Sequence, residues 1–279
     1  MKILVTGKGG NAGSWKIRGV QLGEALEADV RPMASSSACR NADVIIVVKR
    51  TPPAVIETVR ASGKPWVYDI VDGWPQPSSW GKESAVTWLR ETLDALRPTA
   101  VVFGTPRMQF DSKSDLPSLV LPHHSWSKYC DREPVVRGHV KVVGYEGAPQ
   151  YLARWMPLLI RETGKRGWEL NINGDLAKAD IGIALRDLGG YPAAAWKPGT
   201  KLSNLHALGI PALCSREAGY EHVQCGAEYW IDNGQQLVEA FDALSDKSLR
   251  VRISQQMRAA MLPVAAVATQ YRTWLETLL

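Results

Sequence analysis

Short apolar runs rich in branched residues alternate with stretches of helical period along the chain. That pattern is the signature of parallel strands joined by crossover helices. In the first half, Lys2–Thr6, Asp43–Val48, Trp66–Ile70, Ala100–Phe103 and Ser118–Leu121 read as strands, with a further one at about Asp29–Met33. The spacing predicts helices over Ser14–Glu27, Pro53–Ser62 and Glu83–Leu96. Ser14 is a favourable N-cap after a glycine run, and Pro52-Pro53 suit a helix start, where a missing N–H costs little. From Pro122 to about His139 no period is visible.

The cycle then restarts. Strands are expected at Val140–Gly144, Trp168–Ile172, Ile181–Leu185 and Ala212–Ser215, with helices over Pro149–Lys165 and about Thr200–Leu208. Closing helices follow at about Gln235–Leu244 and Lys247–Met261, with a last one from about Val264. The fold class expected is therefore α/β, with two Rossmann-like domains over residues 1–138 and 139–262 and a helix over 263–279 packing back on the first. Ligands bind at the carboxyl edge of an open parallel sheet, so two such domains nominate a cleft between them.

Composition narrows the class further. Of 279 residues 45% are hydrophobic and 22% charged, ordinary values for a globular protein and wrong for a disordered one. No apolar run approaches the roughly 20 residues of a membrane span, and MKILVTGKGG is not a signal peptide, so a cytoplasmic location is expected. Cys39, Cys130, Cys214 and Cys225 are scattered without a CxxC pair and read as reduced, structural thiols. The net charge is +5, and residues 1–138 hold 18 Lys and Arg against 14 Asp and Glu. That excess favours an anionic ligand.

Two segments carry most of the chemistry. After the first strand, Gly7-Lys8-Gly9-Gly10-Asn11-Ala12-Gly13 lets a bound group approach the backbone and leads into a helix start that favours anions. It is no P-loop, lacking GxxxxGK[ST]. The second strand ends in Arg31-Pro32-Met33, without the acidic residue a nicotinamide cofactor needs at its ribose. The second segment is KPGTKLSN, Lys197 to Asn204, where hydroxyls, a Lys and an Asn crowd the first turn of a helix. Free N–H groups, a positive dipole end and a cation make a diphosphate cradle.

From Lys197 to Val223 the run KPGTKLSNLHALGIPALCSREAGYEHV resembles the donor-binding segment of GT-B glycosyltransferases. ADIGIALRD (179–187) is similar to the strand just upstream, and VVGYEGAPQYL (142–152) to the strand and loop opening the C-terminal domain. MKILVTGKGGNAGSWKIRGVQL and NADVIIVVKR are similar to elements of the acceptor domain, and the compact length resembles bacteriophage-encoded members. The resemblance implies that Lys201 and Arg186 neutralise a donor diphosphate, assisted by Thr200, Ser203 and Asn204. It implies that Glu217 and Glu221, with Tyr220 between them, hold ribose or sugar hydroxyls. The loop Gly144, Glu146, Gly147 would approach sugar or phosphate, as would Gly9 and Gly10. The family's E-x7-E spacing is replaced here by glutamates four apart.

On the other side, Asp72 follows a strand and is a candidate general base toward an acceptor hydroxyl. His123 and His124 are further catalytic candidates. Acceptor contacts are expected from Lys8, Asn11, Ser14, Trp15, Lys16, Arg18, Lys49, Arg50 and Trp74, since cations and aromatic faces suit phosphates, sugars and bases. Adjacent histidines are poor metal ligands, and GT-B enzymes generally need no metal, so none is expected.

The function expected is transfer of a sugar from a nucleotide-diphosphate sugar, a co-substrate rather than a tightly bound cofactor, to a hydroxyl. The acceptor is either a hydroxymethylated base in phage DNA, in the host cytoplasm, or a glycan or lipid-linked sugar. The alternatives are a GT-B-like nucleotide-sugar epimerase and a non-catalytic nucleotide- or nucleic-acid-binding protein.

Overall fold

In the computed structural model, residues 1–73, 79–186 and 190–279 are described. The chain divides into two compact units: Met1–His124 with Gly189–Pro198 and Pro263–Leu279, and Ser125–Leu188 with Gly199–Leu262. The opening segment of the first unit runs to His124, and two later segments return to it.

The first unit holds a six-stranded, wholly parallel sheet of β1 (Ile3–Gly7), β2 (Asp29–Pro32), β3 (Val44–Val48), β4 (Trp66–Asp69), β5 (Ala100–Phe103) and β6 (Ser118–Val120). Their order is β2-β1-β3-β4-β5-β6. Val44–Val48 is VIIVV and buried at every position, as a strand covered on both faces must be. The crossovers are α1 (Leu22–Ala25), α2 (Ser36–Asn41), α3 (Pro53–Ala61), α4 (Lys82–Leu96) and α5 (Pro106–Ser112). Thr105 caps α5, its hydroxyl accepting from the Met108 N–H at 3.1 Å, and Pro106 opens it.

The helix expected over Ser14–Glu27 takes another form. Trp15–Gln21 winds as a π-helix before α1, and Ser14, itself helical, makes no cap. The Trp15 ring lies where Cβ atoms at Gly7 and Gly19 would be, so the wider turn accommodates the buried indole.

The second unit repeats the plan with α6 (Ser127–Cys130), β7 (Val142–Tyr145), α7 (Met156–Lys165), β8 (Glu169–Ile172) and β9 (Ile181–Ala184). Between β9 and the rest of this unit, α8 (Tyr191–Ala195) belongs to the first unit. Tyr191 OH and Trp196 Nε1 both donate to Asp111 Oδ2, at 2.6 and 3.0 Å, and Trp196 joins the first core. The second unit continues with α9 (Thr200–Leu208), β10 (Ala212–Cys214), α10 (Ala218–Val223), β11 (Tyr229–Trp230), α11 (Gly234–Ala243) and α12 (Lys247–Ala259). Its sheet, again wholly parallel, runs β11-β10-β9-β7-β8. The closing helix α13 (Val264–Glu276) packs on α1 of the first unit, where Arg272 donates to the Leu26 carbonyl.

Both sheets share one property that positions chemistry. The crossover from β1 runs to β2 on one side and the next returns past β1 to β3 on the other, and the same reversal occurs about β7, between β8 and β9. The carboxyl ends of β1/β3 and β7/β9 are therefore topological switch points, where an open α/β sheet offers a crevice. Among the described residues, no helix is long and apolar enough to cross a membrane.

Candidate active site

At the β7/β9 switch point the chain leaves β7 through Glu146 and Gly147 and leaves β9 toward Arg186. α9 starts at Thr200, after Gly199. Its N-cap, Gly199, makes no side-chain cap hydrogen bond, and the positive end of the helix dipole favours an anion there. Lys201, in that turn, donates from Nζ to the Glu146 carbonyl at 2.7 Å and lies 4.6 Å from the centre of the Tyr145 ring. Tyr145 in turn donates to the Ala148 carbonyl at 3.0 Å, and burial pushes its phenol up to about 12. The ring is a neutral wall.

Glu146 is held from several sides. One carboxylate oxygen accepts from Tyr129 OH at 3.0 Å and Lys128 Nζ at 3.2 Å, the other from Asn204 Nδ2 at 3.1 Å. Asn204 also accepts from the Trp126 N–H at 2.9 Å, so it orients Glu146 from within the protein. Ser203 is likewise buried, its hydroxyl 3.3 Å from the Gly199 carbonyl. The Gly147 N–H donates to Asn173 at 2.7 Å, and Gly147 has φ +141°. A Cβ there would run into the Lys201 ammonium. Gly147→Ala should therefore displace Lys201 and weaken the binding of an anion at this turn at least tenfold. In calorimetric titrations it should add little to Lys201→Ala, since both act through one group.

Arg186 is boxed in. Its Nη1 is 2.7 Å from Glu217 Oε2, Nη2 donates to Tyr220 OH at 3.2 Å, and the rings of Tyr220 and Tyr151 flank it. Arg186 is 7% exposed and Glu217 only 2%. Burial works against both charges, and each offsets the other's cost. Glu221, four residues on, is exposed. The two glutamates thus differ: Glu217 holds Arg186, and Glu221 faces out.

In the first unit, the β1/β3 switch point opens into a cavity of about 250 Å³ lined by Lys8, Gly9, Gly10, Asn11, Ser14 and Trp15 from the β1 side and Lys49 and Arg50 from β3. A second, of about 340 Å³, shares Lys49 and Arg50 and adds Asp72, Tyr68 and Trp88. Lys49 makes an ion pair with Asp72. Burial and the like charges of Arg50 and Lys197 push Lys49 toward its neutral form, with a pKa of about 6, and Asp72 opposes that push. Lys16 is exposed in the first turn of the π-helix. Trp74 lies outside the described residues.

Arg18 departs from its expected role. It is 1% exposed, donates to the Leu121 carbonyl and lies 3.8 Å from buried Asp69, which leaves it no surface to offer an acceptor. His123 and His124 are also interior, at 4% and 0% exposure, and His124 donates from Nε2 to Gln21 at 2.9 Å. Burial, with Arg18 nearby, pulls His124 down to about 3 and lowers His123 as well. They are neutral rings in the frame, not groups poised to trade protons near pH 7.

Below the ordinary value of 6.5 only the unfolded chain protonates these rings, so stability must fall as pH falls from 6.5 toward 3. Each ring contributes up to about 1.4 kcal/mol per pH unit in that window. Melting temperatures between pH 7 and 5 should drop less steeply in His124→Gln, whose amide can still donate to Gln21.

Asn204, Ser203 and Lys201 lay in one legible motif. Tyr129, Lys128 and Asn173 did not, and no local signal marks them, since they meet Glu146 and Gly147 only through the fold.

Two wholly parallel sheets, with switch points at β1/β3 and β7/β9 and helices between the strands, are the plan of the GT-B fold. The similar solved structures bear this out. HepE of Anabaena in complex with UDP-glucose is 13% identical, with a TM-score of 0.67 over 99% of this chain and 100% of that one. Sucrose-phosphate synthase from Thermosynechococcus elongatus is 13% identical, with a TM-score of 0.68 over 100% and 99%. A glycosyltransferase from Rickettsia africae is 10% identical, with a TM-score of 0.64 over 99% and 98%. At these identities the likeness is one of fold. No family model and no curated protein sequence matches the chain.

Proposed function

We propose that this chain is a glycosyltransferase that moves a sugar from a nucleotide-diphosphate sugar to a hydroxyl acceptor. The observation that carries the reading is the pair of cations, Lys201 and Arg186, at one switch point beside the start of α9. Such a set suits a diphosphate and stabilises the charge it gathers as the glycosidic bond breaks. That HepE has been solved with UDP-glucose at full mutual coverage supports the same donor class.

In this reading the second unit takes the donor. Lys201, Arg186 and the Thr200 turn hold the diphosphate, the Glu146–Gly147 loop approaches the sugar, the exposed Glu221 takes the ribose hydroxyls, and buried Tyr220 orients Arg186. Glu217 and Asn204 are positioning residues. The first unit takes the acceptor, and Asp72 is the carboxylate beside its hydroxyl, as an inverting reaction would use. Much of the rate would come from orienting the two substrates.

Of the two acceptor classes, a saccharide or other small hydroxyl compound is favoured over a hydroxymethylated base in DNA. Of the five cations expected along a DNA track, Arg18 and Lys49 are buried, and the exposed Lys8, Lys16 and Arg50 are few against the row of phosphate contacts a duplex site makes. The test is release of nucleoside diphosphate from UDP-, GDP-, ADP- and dTDP-glucose, with saccharides, sugar phosphates or hydroxymethylated duplex as acceptor. Release that needs a small acceptor supports the reading. Transfer only to the duplex, falling steeply with salt, would establish the DNA acceptor instead. Free sugar released without any acceptor would make the chain an epimerase-like hydrolase, and no turnover at all would leave a binding protein.

A further inference from the structure

We propose that the β1/β3 cavity of the first unit binds the phosphate of a phosphorylated acceptor, whose body occupies the adjoining cavity beside Trp88. The inference rests on the acceptor side of the reading above and names its substrate class.

Among the described residues, the lining of the smaller cavity holds two cations, Lys8 and Arg50, beside the ion-paired Lys49, and no carboxylate. Lys197 adds like charge at Lys49. The Asp72 carboxylate lines the larger cavity and is engaged by Lys49. An anion is the occupant such a lining favours. The backbone is arranged to match. Gly9 and Gly10 have φ +75° and +82°, and a Cβ at Gly10 would meet nothing within 4 Å, so that face of the loop is open to a close ligand.

Arg50 itself sits at φ +60°, a left-handed conformation that a non-glycine residue holds only at a cost. Met33 and Val71 do the same just past β2 and β4. Strain of this kind, gathered along one sheet edge, is a feature of ligand sites. Here it places a guanidinium at the junction of the two cavities.

The larger cavity has a different character. Ile56, Leu96 and Trp88 give it an apolar wall, and Tyr68 and Asp72 supply polar groups. A sugar ring stacks on an aromatic face and hydrogen-bonds at its edge. Phosphate in the basic cavity and a ring in the aromatic one would set a hydroxyl near Asp72. The volumes, about 250 and 340 Å³, suit a small phosphorylated molecule and not a duplex.

Hydrogen exchange on the full chain tests this, with inorganic phosphate, acetate and UDP as separate probes. Phosphate is expected to protect residues 8–16 and 49–51, with acetate ineffective and UDP protecting 144–147 and 200–204. Lys8→Ala and Arg50→Gly should each weaken the phosphate effect at least tenfold. Glycine suits the left-handed backbone, so Arg50→Gly should fold normally. Phosphate without effect on 8–16, equal protection in both variants, or acetate as effective as phosphate would overturn the proposal. UDP protecting 8–16 in place of phosphate would assign the cavity to the donor and overturn it too. Phosphate protection as expected, with UDP binding nowhere, would support the anion site and refute the transferase reading.

Discussion

Lys201→Ala should lower turnover of the nucleotide-sugar by about 10²–10³-fold, the usual effect of deleting one preorganised donor to a developing anion. The ammonium stands in the first turn of α9, over the Tyr145 ring and against the Glu146 carbonyl. Helix dipole and cation therefore act on one spot. Because Lys201 is only partly buried and leaves no buried charge behind, its loss should shift the melting temperature by no more than about 2 °C. Lys201→Arg should recover part of the turnover. Steady-state kinetics with thermal melts on the same samples checks both halves. A comparable loss of turnover and fold would reduce Lys201 to a structural residue.

Arg186→Ala should act on the fold as well as on the donor. Removing the guanidinium leaves Glu217 buried without its cation, which costs about 3–5 kcal/mol in comparable pairs. Exchanging both partners, Arg186→Met with Glu217→Gln, should recover most of that stability, since the buried charge goes with the cation that balanced it. Donor binding should not return, because neither new side chain carries a charge for a diphosphate. Urea melts with nucleotide titrations separate the two effects. If the double variant binds nucleoside diphosphate normally, Arg186 serves only to hold Glu217.

The sequence made the scaffold plain where one local rule dominated. VIIVV at 44–48 reads as a doubly covered strand because nothing in it is polar, and KPGTKLSN reads as a helix start loaded for an anion. α5 was legible in principle, since Thr105-Pro106 is a cap followed by an N1 proline, but its seven residues are too few to show a period. The roles of the charged residues were much less visible. Arg18 looks like a surface cation, and only the packed fold encloses it with Asp69 and the Leu121 carbonyl. Glu146 looks like a loop residue in VVGYEGAP. Its anchors, Tyr129, Lys128 and Asn204, lie 17, 18 and 58 positions away. The same holds for Gln21, which meets His124 across 103 positions and turns a candidate base into part of the frame. Sequence periodicity reports which face is buried, not which partner waits there.

The central claim is that the β7/β9 switch point is a nucleoside diphosphate site. Calorimetric titration of UDP, GDP, ADP and dTDP into the wild type and Lys201→Ala tests it most directly. The account predicts that one of the four binds at a single site and that Lys201→Ala weakens it at least tenfold. Binding of none, or equal binding by the variant, would contradict it.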